Sequence, residues 1–214
     1  MNHRRYVNAL LVVAASLVLT GSALANTVNL KYLSQHGQVG NYSFSINGST
    51  TATTLICDAY DNHVFKNETW QATVAPLLQA TGLFGLGNSL DYRAAGLIYK
   101  SILGGSTNSL AGQWTLWGLF SANAASHAEF TASGGAAVEA AYLALAATAP
   151  NSAYQGLLLY TPVPGTQSGN HGLPQEFIGF RAAPEAGTLT LMGTGLLCLA
   201  GVLRRKFIYR CVRS

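Results

Sequence analysis

The chain has 214 residues, of which 9% are charged, and its formal net charge is +4. The positive balance belongs to the ends, because residues 26–183 carry five basic side chains (Lys31, Lys66, Arg93, Lys100, Arg181) against seven acidic ones (Asp58, Asp61, Glu68, Asp91, Glu129, Glu139, Glu176), five minus seven being −2. A middle segment of that charge offers no basic surface for a phosphate backbone, which argues against a nucleic-acid partner.

Residues 1–25 open with a basic stretch (His3, Arg4, Arg5), continue with an apolar run over 6–19 and end on Ala23, Leu24, Ala25, a small-x-small site. This reads as a secretory signal peptide, removed by signal peptidase so that the mature chain begins at Asn26. Residues 26–183 then form an exported segment of 158 residues, a size that suits one domain with a sizeable core.

The exported segment begins with β character. Residues 42–46 alternate aromatic or aliphatic side chains with serine, residues 50–57 are rich in threonine, and Asn47-Gly48 between them is a two-residue hairpin signal. Residues 64–65 and 68–74 continue it until Pro76, Gly82, Gly85 and Gly87 interrupt. Helical spacing follows. Ser89 caps a helix that Gly104-Gly105 stops, a second helix spans about 109–122, and an alanine-rich third spans 136–149 before Pro150. Residues 157–160 and 176–180 read as closing strands across a Pro- and Gly-containing loop. The expected class is α+β, with strands flanking a three-helix segment.

Cysteine arithmetic isolates one residue. Cys198 falls in an apolar span near the C-terminus and Cys211 beyond it, so Cys57 is alone in the exported domain and has no partner there for a disulfide. An exported lone thiol is buried, joined to another chain, or chemically used. Cys57 closes a β-like run, and Gln113 opens the sequence Gln113, Trp114, Thr115, Leu116, Trp117 on the second helix. A cysteine at a strand end with a glutamine at the head of a Gln-x-x-aliphatic-Trp helix resembles the bacterial thioester domains. That resemblance implies a covalent bond between the Cys57 and Gln113 side chains, with Trp114 and Trp117 as shielding aromatics. The residue before the cysteine is Ile56, where the family usually has an aromatic.

The plain reading of the same residues is a small buried cysteine and a helix whose tryptophans fill the core. The enzymatic reading makes Cys57 the nucleophile of a hydrolase with His63, His127 or His171 as base, though no local signature accompanies it. The histidines lack zinc-ligand spacing, and Asp58, Asp61 and Asn62 fit a turn better than a calcium loop, so no metal or cofactor is expected.

The C-terminal end carries Pro184, Glu185 and Ala186, then 17 mostly apolar residues over 187–203, then Arg204, Arg205 and Lys206, with a basic tail at 207–214. A helix of that length reaches ~25 Å, the short end of what crosses a hydrocarbon core about 30 Å thick. The basic stop holds the C-terminus in the cytoplasm by the positive-inside rule, leaving the domain outside. This order of parts resembles a PEP-CTERM sorting signal, with Ala186 where proline is usual. The resemblance implies cleavage by an exosortase-like protease near Pro184-Glu185 and delivery to a surface or extracellular matrix, usually rich in exopolysaccharide. The expected function is structural or adhesive. The alternatives are a secreted Cys57 hydrolase and a single-pass anchored protein with an unrelated binding role.

Overall fold

Short strands rich in Thr, Tyr, Phe, Leu and Ile dominate both ends of the exported segment, and six of them close on one another. The structure, a computed structural model, describes residues 26–35 and 40–180. The signal-peptide site, the sorting motif, the apolar span 187–203 and the basic cluster lie outside these residues. Among the described residues no helix is long and apolar enough to cross a membrane.

In chain order the strands are β1 (Asn26–Gln35), β2 (Tyr42–Ile46), β3 (Thr53–Cys57), β4 (Thr69–Pro76), β5 (Thr81–Gly82), β6 (Gly85–Leu86), β7 (Leu157–Pro162) and β8 (Phe177–Phe180). A closed antiparallel barrel runs β1-β2-β3-β8-β7-β4, and β5 and β6 pair separately. Closure leaves the barrel itself without a free edge. The expected hairpin forms, with Tyr42 opposite Leu55 and Phe44 opposite Thr53. Asn47 (φ 52°) and Gly48 (φ 76°) make its left-handed turn. The return strand starts only at Thr53, because Ser49 first engages Ser45 and Thr51 through side-chain hydrogen bonds. Strand β1 escaped the sequence reading, and residues 64–65 form no strand.

The helical excursion lies between β4 and β7, which are neighbours in the barrel. It contains five helices where three were expected: α1 (Leu90–Leu103), α2 (Ser109–Gly118), α3 (Ala122–Ala125), α4 (Ala128–Ala132) and α5 (Gly135–Thr148). Ser89 caps α1 and Gly104 ends it, as the sequence indicates. The second helix stops four residues early because Ser121 caps a new turn, its hydroxyl accepting from the Ala124 amide at 3.2 Å. Gly134, at φ 73°, then separates α4 from α5.

Two cores result from this arrangement. Inside the barrel, Leu30, Phe44, Leu55, Cys57, Trp70 and Phe177 pack with Trp114 and Trp117 from α2. Outside it, Ile56, Leu157, Leu159 and Ile178 pack against Tyr92, Ile98, Tyr99 and Leu116 of the helices. Strands β3, β7 and β8 are thus covered on both faces, which is why they read as continuous apolar runs. Arg93 fixes the helical layer to the chain after α5. It donates to the carbonyls of Ala146 and Ala149 and to Asn151, with its guanidinium 4.6 Å from the Tyr154 ring centroid.

Candidate functional site around Cys57 and Gln113

Along β3 the pleat sends Leu55 and Cys57 into the barrel and Ile56 to the helical side. Cys57 is the last strand residue, opposite Phe177, and is fully buried. Helix α2 packs against β3 here, with Gln113 to Trp117 on its buried stretch. The capping Asn108 side chain accepts from the Leu110 amide at 2.8 Å, which fixes where Gln113 stands. The Gln113 Nε2 donates to the Cys57 carbonyl oxygen at 2.6 Å, and Gln113 is 1% exposed. The carboxamide therefore rests on the main chain of the residue whose sulfur it would bond.

The sulfur itself is lightly held. Its thiol donates weakly to the Ala59 carbonyl at 3.5 Å, and the Trp117 indole lies beside it without a full hydrogen bond. Burial, and then the neighbouring Asp58, push the thiol well above its usual range. A thiolate is strongly disfavoured here, whereas an uncharged acyl–sulfur bond carries no such penalty.

Trp114 and Trp117 cover this end of the barrel with ring centroids 5.1 Å apart at 86°. Tyr60, from the loop after β3, packs 5.7 Å from Trp114 and 5.3 Å from Trp117. His127 stacks on Trp114 from outside, at 4.7 Å and 14°. Asn123 of α3 ties down the same loop by donating to Asp61 at 2.8 Å, an interaction that lowers the Asp61 pKa.

On the other face of the same strand end lies an acid pair. Asp58 and Glu176 are both fully buried, and the Asp58 amide donates to the Glu176 carbonyl at 3.2 Å. The Glu176 carboxylate accepts from the Tyr92 hydroxyl, from Thr161 Oγ1 at 2.5 Å and from the Leu83 amide at 3.0 Å. The Asp58 carboxyl faces the Glu176 carboxyl. Burial first and Glu176 second raise Asp58 well above the ordinary carboxylate range. Burial raises Glu176 as well, but its three donors favour the anion, so Asp58 keeps the proton and shares it with Glu176.

Gln175 completes the strand end. Its Nε2 donates to the Ala59 carbonyl at 3.2 Å. Gln113 Oε1, Gln175 Oε1 and Trp117 Nε1 are buried here without a full hydrogen bond, as are Glu68 Oε1, Trp70 Nε1, Tyr154 Oη and Gln167 Oε1 elsewhere.

No protein-family model, curated protein or solved structure matches this chain.

The structure brings together Cys57, Gln113, Trp114 and Trp117. Of the histidines considered as a hydrolase base, His171 stacks on Phe65 at 4.1 Å, His63 is exposed, and His127 is separated from the thiol by the aromatic cover. Asp58 and Asp61, considered together as a turn, part company: one is buried against Glu176 and the other accepts from Asn123 at the surface. Sequence reading missed Tyr60, Gln175 and the Asp58–Glu176 pair. The only local signal for the pair was an acidic residue next to an apolar strand run, Asp58 just after Leu55-Ile56-Cys57 and Glu176 just before Phe177-Ile178.

Proposed function

We propose that this protein is an exported surface or matrix protein that attaches covalently to its target through a thioester between Cys57 and Gln113. The observation that carries the reading is the Gln113 carboxamide, buried and hydrogen-bonded at 2.6 Å to the Cys57 main chain under Trp114 and Trp117. In the reaction the Cys57 sulfur adds to the Gln113 carboxamide carbon. The C–N bond breaks and ammonia leaves with the thiol proton. An incoming amine or hydroxyl then attacks the acyl carbon, the C–S bond breaks, and the thiol is restored as an amide or ester link forms. The aromatic cover supports this reading because an acyl thioester survives only where water is kept out.

The sorting half of the proposal rests on the ends of the chain. Pro184, Glu185, Ala186 and the basic stop at Arg204, Arg205 and Lys206 suit membrane anchoring followed by transfer to the matrix by an exosortase-like protease, with exopolysaccharide or a surface protein as the target.

Intact mass of the protein from its own host tests both halves. The expected chain begins at Asn26 and is lighter by one ammonia, about 17 Da, than its composition requires. Methylamine adds its full mass, about 31 Da, at Gln113 and frees one alkylatable thiol, and Cys57→Ala abolishes methylamine uptake. A full-mass chain with a free Cys57 thiol and no methylamine uptake overturns the thioester reading.

A further inference from the structure

Two single 3-10 turns, Leu77–Gln79 after β4 and Asn151–Tyr154 before β7, both pack on α1 and border one cavity. Its volume is about 450 Å³, inside the range of roughly 300–1,000 Å³ that small-molecule sites occupy. The floor is apolar: Leu77, Tyr154 and Leu157 belong to the outer core, whereas Cys57 points into the barrel. Along β7 the cavity stands at Leu157, roughly 10 Å from Tyr160, whose partner Phe177 is opposite Cys57. The floor is also held from behind. A methyl on Gly96, inside α1, would stand 2.6 Å from Leu77 Cδ2, 3.0 Å from Leu157 Cδ1 and 3.3 Å from Tyr154 Cδ1. A glycine there weakens the helix but lets it close on these three side chains. Both cations of α1 are occupied with the second turn and its approach: Arg93 donates to the Ala146 and Ala149 carbonyls and to Asn151 Oδ1, and Lys100 donates to the Ala153 carbonyl at 2.8 Å. Gln79, Asn151 and Gln155 supply carboxamides at the front, and no Asp, Glu, Lys, Arg or His lines the cavity. Among the described residues the Gln79 and Gln155 carboxamides, both exposed, have no hydrogen-bond partner, and Asn151 gives its oxygen to Arg93 and keeps its NH2 as a donor.

We infer that this cavity is a non-covalent binding site for a neutral saccharide. A carboxamide offers a donor and an acceptor together, which suits hydroxyl groups that are both as well. The floor of Leu77, Tyr154 and Leu157 suits the C–H face of a sugar ring. A uronate, sulfate or phosphate group would find no charged side chain in the lining and would lose its hydration uncompensated. A wholly apolar ligand would cover the carboxamides and leave them unpaired. An extended peptide adds to a free strand edge, and β4 and β7, which border the cavity, are each paired on both sides. The site is separate from Cys57 and does not depend on the thioester.

The test is calorimetric titration of the full-length protein in a polyoxyethylene detergent, which carries no sugar. The probes are cellohexaose and the neutral polysaccharide of the host's own matrix, with a neutral alanine peptide and dextran sulfate as competitors of other chemistry. Saturable binding of at least one saccharide, released on dilution, is expected. Gln79→Ala combined with Gln155→Ala should weaken it about 5- to 150-fold, the loss of two hydrogen bonds. Should the double variant fail to fold, Gln155→Lys alone is read in the same way. Binding of neither saccharide, equal binding by the variant, or preference for the peptide or for dextran sulfate overturns the inference. A saccharide retained only as a hydroxylamine-labile ester belongs to Gln113: it overturns this site while supporting the thioester, so the two readings fail separately.

Discussion

Asp58→Asn isolates the buried proton beside the candidate site. In the wild type Asp58 is fully buried against Glu176, and burial followed by that neighbour holds its folded pKa far above that of an unfolded carboxyl. An unfolded aspartate titrates near pH ~4, so above that pH the unfolded chain releases a proton that the folded chain retains. Stability from this group is complete below the unfolded pKa and is lost as pH rises toward the folded one. The slope is about 1.4 kcal/mol per pH unit for one retained proton. An asparagine keeps the shape and can donate to Glu176, but it has no proton to lose. Glu139, raised by burial, and Asp61, lowered by Asn123, are common to both chains and cancel in the comparison. Urea unfolding at pH 5, 6 and 7 and constant ionic strength reads the difference. With a denaturant slope of roughly 1–3 kcal/mol per molar, the wild-type midpoint should fall about 0.5–1.4 M per pH unit relative to Asp58→Asn. Parallel midpoint-versus-pH lines for the two proteins would refute the shared-proton account.

Phe44→Ala should cost about 3–5 kcal/mol in urea unfolding, since Phe44 is fully buried and packs edge-on against Trp70 at 5.7 Å and Phe177 at 4.7 Å. Gly82→Ala places a methyl 2.8 Å from Glu176 Oε1 and against the Tyr92 hydroxyl, so it should lower the melting temperature by the equivalent of about 1–3 kcal/mol; a wild-type melt would mean that this hydroxyl is not confined as described. On the proposed topology, in which Arg204, Arg205 and Lys206 would supply the stop after a short apolar span, replacing all three with Gln should let part of the population translocate fully. Protease protection of the C-terminus, unchanged by the triple substitution, would count against that topology.

Several features were legible in residues 42–57 and 89–105 because their causes are local. Asn47 and Gly48 adopt left-handed backbone easily, Ser89 supplies an N-cap oxygen, and Gly104-Gly105 stop a helix, so hairpin and helix limits follow from neighbours in the chain. The apolar runs 55–57 and 157–160 announced burial without saying that it was two-sided, since inside and outside of a barrel look alike to one strand. Barrel closure depends on β1 meeting β4 and on β8 slotting between β3 and β7, pairings that no local pattern encodes. Likewise, Cys57 and Gln113 could be singled out as residue types in suggestive settings, but their approach is set by where α2 packs against β3. Asp58 and Glu176 are 118 positions apart, and each alone reads as a polar residue flanking a strand. Only the folded chain makes them a pair: burial removes the water that would let both ionise, so their chemistry depends on a distance the sequence does not contain.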